Sequence, residues 1–276
     1  MLPLALAMDG ELVDAACATV SPLDRTVSFG DGLFETLRVV GPQVRHATLH
    51  LARLALSAAR MQLTVPMADD IVAVTNRVVA AARRIDDTGD LRIKWMFTRG
   101  IAGWADAPAS AVAGHWLVWA SSAHPPPVTL RLASVDLPLP RRHQPALKTM
   151  AYLDAITAKQ LALAAGADEA IRLDWQGCVA EGAAVNLFAL HGRVLSTAPV
   201  AGIVPGVVRH LVVTHARALG LAVREVALSP AEFAAADECF ATNAMIGVCP
   251  VVEIDGRPCK QGLWSRLISG EYAKHW

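Results

Sequence analysis

Glu169-Ala-Ile-Arg-Leu-Asp-Trp-Gln-Gly-Cys-Val-Ala-Glu181, followed shortly by Asn186-Leu-Phe-Ala-Leu-His-Gly-Arg-Val-Leu-Ser196, is the stretch that decides the fold class. Short apolar runs at Glu169–Leu173, Cys178–Glu181, Asn186–Leu190 and Arg193–Ser196 are separated by Asp174-Trp-Gln-Gly177 and His191-Gly192, so they read as a meander of hairpins. Helical patterns flank it. One runs from about Tyr152 to Ala165 and is stopped by Gly166; the other, Val207–Leu219, follows Gly202 and Gly206 and is closed by Gly220. Hairpins set between helices give a mixed α/β chain and disfavour the regular βαβ series of a doubly wound nucleotide fold.

Toward the C-terminus, a helix at Pro230–Ala236 precedes strands around Glu238–Ala241 and Val251–Ile254, with Thr242-Asn-Ala-Met-Ile-Gly-Val-Cys-Pro250 as a loop between them. Toward the N-terminus, Ser121-Ser-Ala-His-Pro-Pro-Pro127 is the strongest linker signal in the chain. It divides a smaller α/β domain, residues 1–120, from a larger domain, residues 128–276. The smaller domain holds strands at Leu4–Met8, Glu11–Val13, Leu91–Thr98 and His115–Ala120 and helices at Thr48–Met61 and Ile71–Arg84. In Ser28-Phe-Gly-Asp-Gly-Leu-Phe-Glu-Thr-Leu-Arg38, Gly30 and Gly32 imply an irregular, closely approached backbone.

Composition narrows the function classes. The 276 residues are 54% hydrophobic and only 18% charged, with 25 basic against 25 acidic side chains. Such a chain folds, and without a basic patch it lacks the field that nucleic acid requires. No apolar run reaches the roughly 20 residues of a membrane span, and Leu2–Met8 is too short and lacks the basic flank of a signal peptide. Five cysteines without a Cys-x-x-Cys pair suggest neither a disulfide framework nor a zinc site, which fits a reducing cytoplasm.

Five stretches in order carry a more specific signal: Phe29-Gly-Asp-Gly-Leu-Phe-Glu-Thr36, His50-Leu-Ala-Arg-Leu54, Leu147-Lys-Thr-Met-Ala-Tyr-Leu-Asp154, Asp168-Glu-Ala-Ile with Glu181-Gly-Ala-Ala-Val-Asn-Leu-Phe188, and Thr242-Asn-Ala-Met-Ile-Gly-Val-Cys-Pro-Val251. Together they span residues 29–251. In this the chain resembles the fold-type IV pyridoxal-phosphate enzymes: branched-chain and D-amino-acid aminotransferases and 4-amino-4-deoxychorismate lyase. The resemblance implies a two-domain mixed α/β fold, pyridoxal 5′-phosphate as cofactor, and a homodimer.

It also implies roles. Lys148, one of five lysines, would carry the cofactor aldehyde as a Schiff base and move a proton at the substrate α-carbon. Glu181 would keep the pyridine nitrogen protonated. Arg53, the backbone N–H groups of Val207 and Val208 at a helix start, and Thr242 with Asn243 match the phosphate side. The family usually has a hydroxyl residue where Val208 stands, and often a polar one at Ala151. Thr36 is a proton-relay or substrate-contact hydroxyl, equally explained as a satisfied core threonine. After Thr98-Arg99-Gly100, an expected arginine-bearing continuation is replaced by Ile101-Ala-Gly-Trp-Ala-Asp106, which leaves Lys94 and Arg99 as candidates for the substrate carboxylate.

The loop Thr242–Pro250 looks more like the lyase than the aminotransferases. The leading expectation is therefore release of pyruvate to give 4-aminobenzoate for folate synthesis; the alternative is transamination of branched-chain or D-amino acids with 2-oxoglutarate.

Overall fold

The computed structural model describes residues 3–103, 114–141, 143 and 145–274. Trp104 and Asp106 lie outside the described residues. The chain forms two compact units: residues 1–125 with 147–152, and residues 126–146 with 153–276.

The first unit contains β1 (Ala5–Met8), β2 (Glu11–Val13), α1 (Arg25–Phe29), β3 (Gly32–Val40), β4 (Gln43–Val44), α2 (Ala47–Met61), α3 (Ala68–Arg83), β5 (Leu91–Thr98) and β6 (Trp116–Ser122). Its strands make an antiparallel sheet in the order β2-β1-β6-β5-β3-β4. Alternation sorts the side chains. Leu33, Leu37 and Val39 of β3 and Leu91, Ile93, Trp95 and Phe97 of β5 join Leu54 and Ala58 of α2 and Ile71, Val74 and Val78 of α3 in one core. Each large side chain buried there contributes roughly 1.5–3 kcal/mol. The intervening residues, Phe34, Thr36 and Arg38 paired with Met96, Lys94 and Arg92, occupy the other face.

The segment that reads as irregular in the sequence contains two elements. Asp24 caps α1 through Thr26 N–H, and Gly30 ends it in the left-handed conformation at φ 69°. Gly32 then opens β3, a nine-residue strand. The close approach implied by Gly30 has a definite partner: a Cβ at that position would lie 2.7 Å from both Cα and N of Ala151.

The second unit contains β7 (Leu130–Ser134), α4 (Leu153–Ala164), β8 (Glu169–Leu173), β9 (Val179–Glu181), β10 (Asn186–His191), β11 (Val194–Thr197), α5 (Val207–Ala218), β12 (Ala222–Glu225), α6 (Pro230–Ala234), β13 (Glu238–Asn243), β14 (Gly247–Ile254), β15 (Arg257–Pro258) and α7 (Trp264–Lys274). The expected meander is β8-β9-β10-β11, antiparallel throughout. Its sheet also contains parallel pairs, β7 with β8, β7 with β14 and β11 with β12. Along β10-β13-β14-β7-β8-β9 the sheet returns to β10 through the pair Asn186↔Glu181, which closes a ring of strands.

Most of the stretch expected as a loop after Thr242 is strand: β13 runs to Asn243 and β14 begins at Gly247. Lys148 falls outside the unit to which its sequence position assigns it, because residues 147–152 return to the first unit.

Candidate active site

The side chains singled out in the sequence belong to both units, and each unit positions its own set. In the first, Lys148 is held by backbone pairing. The N-terminal half of β3 has β5 on one edge and residues 148–150 on the other: Phe34 N–H donates to Lys148 C=O at 3.1 Å, Met150 N–H donates to Gly32 C=O at 2.9 Å, and Leu33 pairs with Thr149. This pairing turns the Lys148 side chain to the Phe34 face, where its Nζ lies 4.4 Å from the Phe34 ring centre and 5.6 Å from that of Tyr152. Phe34 and Tyr152 meet edge to face at 5.2 Å. Ala151 packs its backbone against Gly30, fixing the chain just beyond the lysine.

Lys94 reaches the same ring, with Nζ 4.7 Å from the Phe34 centre and 6.0 Å from Trp119. Burial first, and the Arg92 charge second, hold the Lys94 ammonium below its ordinary pKa. Thr36 is its cross-strand partner. Thr36, Lys94 and Lys148 therefore share the β3 face turned away from α2, a cationic, aromatic-lined surface suited to an organic anion.

Arg99 does not belong to that surface. It is buried, its Nε and Nη2 donate to Asp31 at 3.1 and 2.9 Å, and Nη1 and Nη2 also donate to the Gln62 and Met61 carbonyls at 2.8 and 2.9 Å. Those carbonyls belong to the C-terminal end of α2, where a cation is favoured. Engaged in this way, Arg99 is withdrawn from the substrate-contact candidates.

On the helix-facing side of β3 a charged cluster sits inside the apolar core. Glu35 accepts from Arg53 Nε at 2.8 Å, from Arg53 Nη2 at 2.5 Å and from His50 Nδ1 at 2.7 Å. His50 and Arg53, three positions apart on α2, present one helix face to the strand. Burial by itself would raise the Glu35 carboxyl, but the Arg53 charge and the hydrogen bonds from His50 and Arg53 outweigh it and lower the pKa to about 2. Burial lowers His50, so its neutral ring donates Nδ1–H to the carboxylate. Glu35 escaped the sequence reading, although a lone acid on the apolar side of an alternating strand was a visible signal.

The depressed carboxyl has a consequence for acid stability. Between its ordinary value near 4.5 and the folded value of about 2, the unfolded chain binds a proton that folded Glu35 does not, so stability is lost as pH falls through that window. The shift corresponds to on the order of 3 kcal/mol. Urea denaturation across this range is expected to show a shallower acid limb in Glu35→Gln than in wild type; parallel limbs would exclude Glu35 as the group responsible.

In the second unit, Glu181 ends β9 opposite Asn186 of β10. Its Oε2 accepts the Val204 N–H at 3.0 Å and lies 3.5 Å from Asn186 Nδ2, which also donates to Val204 C=O at 3.0 Å. Asn186, not singled out from the sequence, thus ties the Glu181 carboxylate to the turn that starts α5. Gly206 caps α5 without a side-chain bond, and a Cβ there would stand 2.0 Å from Asn186 Oδ1. The first N–H groups of α5, including those of Val207 and Val208, lack intrahelical partners and carry the positive end of the helix dipole. Val208 lacks a hydroxyl because its side chain joins the core around the stacked Phe188 and Phe240 rings.

Thr242, paired with Asn186 on the neighbouring strand, is 1% exposed, and among the described residues its Oγ1 has no hydrogen-bond partner. Burying an unsatisfied hydroxyl costs about 1–3 kcal/mol, so Thr242 Oγ1 is a group that a bound ligand could satisfy. Asn243 behaves differently: its Oδ1 accepts from Met245 and Ile246 N–H at 2.8 and 2.9 Å, and its Nδ2 donates to Ala184 C=O at 3.1 Å, so its side chain builds the β13–β14 turn.

Comparison with known proteins defines the class. The family model for class IV amino-transferases matches residues 32–254, and the chain belongs to that family, the fold-type IV pyridoxal-phosphate enzymes. Among individual relatives it is 32% identical over 262 residues to a putative branched-chain-amino-acid aminotransferase of Methanocaldococcus jannaschii, covering 91% of this chain and 88% of the relative. A branched-chain-amino-acid aminotransferase of Pseudomonas aeruginosa is 30% identical over 271 residues, 92% of this chain and 86% of the relative. The branched-chain aminotransferase of Thermoproteus uzoniensis, solved with norvaline, superposes with a TM-score of 0.86 at 29% identity, covering 99% of this chain and 94% of that one. These relatives are aminotransferases, so the expectation that the lyase is the nearer branch is set aside.

The residues fit the family's cofactor. An amine held by backbone pairing to β3, a carboxylate oriented by an amide network, a helix start that tolerates no side chain at Gly206, and an orphaned buried hydroxyl at Thr242 are the groups that an aldehyde, a pyridine nitrogen and a phosphate would need.

Proposed function

We propose that the chain is a pyridoxal-phosphate-dependent aminotransferase acting on branched-chain amino acids with 2-oxoglutarate as amino acceptor. The observation that carries the substrate class is the likeness to the Methanocaldococcus jannaschii relative over 91% of this chain. When bound, the cofactor supplies an aldehyde that captures an amine and a ring that accepts the electron pair released at the substrate α-carbon.

The protein's own groups have distinct tasks in this reading. Lys148 would hold the cofactor through its side-chain amine and would move the proton at the substrate α-carbon. Glu181 holds a proton at the pyridine nitrogen, and its orientation is supported by the Val204 N–H and Asn186 contacts. Arg53, the Val207 and Val208 N–H groups and the Thr242 hydroxyl hold the phosphate. Lys94 holds a substrate carboxylate as a point charge, and Thr36 beside it supplies a hydroxyl at the same face.

A homodimer belongs to the same proposal. On α4, Leu153, Ile156, Leu161 and Leu163 are exposed while Ala155, Ala158 and Ala162 are buried, leaving an outward apolar surface that a second copy would cover.

Purified protein given L-leucine, L-isoleucine or L-valine with 2-oxoglutarate is expected to form glutamate and the matching 2-oxo acid. D-alanine should serve poorly. Pyruvate and 4-aminobenzoate formed from 4-amino-4-deoxychorismate, without amino-group exchange from the branched-chain donors, would overturn the proposal in favour of the lyase.

A further inference from the structure

We infer that Glu35 is the positioning residue for phosphate recognition: it fixes the plane and direction of the Arg53 guanidinium. This inference rests on the reading above that Arg53 meets the cofactor phosphate. Glu35 takes the Nε–Nη2 edge of that guanidinium.

The geometry favours orientation over attraction. Two parallel bonds, Arg53 Nε to Oε1 and Nη2 to Oε2, fix one edge of a planar fork and thereby the direction of the other. An arginine side chain otherwise has many rotamers, and ordering it on binding would weaken the phosphate contact. His50 keeps the carboxylate from rotating by donating to the same Oε2 at 2.7 Å. His50 and Glu35 are both about 1% exposed and lie in a packed core, so the carboxylate has little room to move. The arrangement is a lever built from three residues: β3 sets Glu35, α2 sets His50 and Arg53, and the strand–helix packing sets their separation.

Electrostatics and orientation predict opposite signs. Glu35 is an anion beside the cation that meets a phosphate dianion, so Coulomb's law alone says that neutralising it tightens phosphate binding. If Glu35 acts by orientation, neutralising it weakens binding, and only for ligands that carry the phosphate.

The test compares two aldehydes on the full-length apoprotein, pyridoxal 5′-phosphate and pyridoxal, each titrated by the visible absorption of the bound ligand. Wild type is expected to bind the phosphorylated form far more tightly. Glu35→Gln and Glu35→Asp are each expected to raise the Kd for pyridoxal 5′-phosphate at least tenfold and to leave that for pyridoxal within twofold. The aspartate retains the charge but is one methylene too short for the paired bonds, and near-ultraviolet circular dichroism reports that its fold is retained. In an Arg53→Ala background, Glu35→Gln should add less than twofold.

Unchanged or tighter binding of pyridoxal 5′-phosphate in both variants overturns the inference. Equal weakening for the two aldehydes overturns it as well, since that is loss of fold. A wild type that does not distinguish the aldehydes has a different meaning: it removes the phosphate role from Arg53 and takes this inference with it.

Discussion

Lys148→Ala is expected to lower turnover by roughly 10³-fold or more while the protein stays folded. The amine is the group proposed both to hold the cofactor covalently and to move the α-proton, and positioned acid–base groups alone contribute about 10²–10⁴-fold. The Lys148 carbonyl is bonded to Phe34 N–H, and alanine retains that backbone bond. Thermal denaturation should therefore be nearly unchanged. Borohydride treatment of the loaded wild type should fix the cofactor to the peptide that contains Lys148, and label on Lys94 or on any other lysine would refute the assignment.

Gly30→Ala is expected to have the largest effect on stability, about 2–4 kcal/mol. Two penalties combine there. The φ of 69° disfavours any residue with a Cβ, and the added atom would sit 2.7 Å from the Ala151 backbone, which cannot rotate away as a side-chain tip can. Gly41 is the control: its φ is 54°, but a Cβ there would meet nothing within 4 Å, so Gly41→Ala should cost only about 1 kcal/mol. Urea denaturation of the two variants measures the difference, and equal losses would mean that the Ala151 approach does not matter. Because Ala151 directly follows the residues that pair Lys148 to β3, Gly30→Ala should also reduce turnover in the fraction that remains folded.

Much of the fold was legible in local patterns. Mostly helical spacing at Leu49, Leu51, Leu54, Leu56 and Met61 gave α2, although Leu56 is exposed, and the turn residues Asp174 to Gly177 and His191-Gly192 gave the hairpins of the second unit. The short C-terminal helix α7 and the parallel strand β12 were not read, since neither has a strong local signal and both are stabilised by packing against distant elements. The glycines of Phe29–Thr36 concealed β3 because they lie at its entrance; the alternation beyond them, apolar Leu33 and Leu37 against Phe34, Thr36 and Arg38, was the better guide.

The candidate site divides along the same line. Lys148, Glu181 and Arg53 were proposed from ordered motifs, whereas Glu35 and Asn186 were not, because a residue proposed to orient another is defined by its neighbour across a strand or helix. Arg99 shows the converse. Its place beside Thr98 suggested a substrate contact, yet Asp31 and the end of α2 claim its donors.

By itself the sequence determined the family and the order of most helices and strands, and it singled out Lys148 and Glu181 as the candidate amine and acid, because these readings depend on residue type and on spacing within a few turns of chain. Only the tertiary structure decided that residues 148–150 pair with β3, that β9 closes onto β10, and which charged side chains are engaged by neighbours. Backbone hydrogen bonds between strands far apart in the chain are chemically alike at every register, so the choice among them is made by the packing of the whole core.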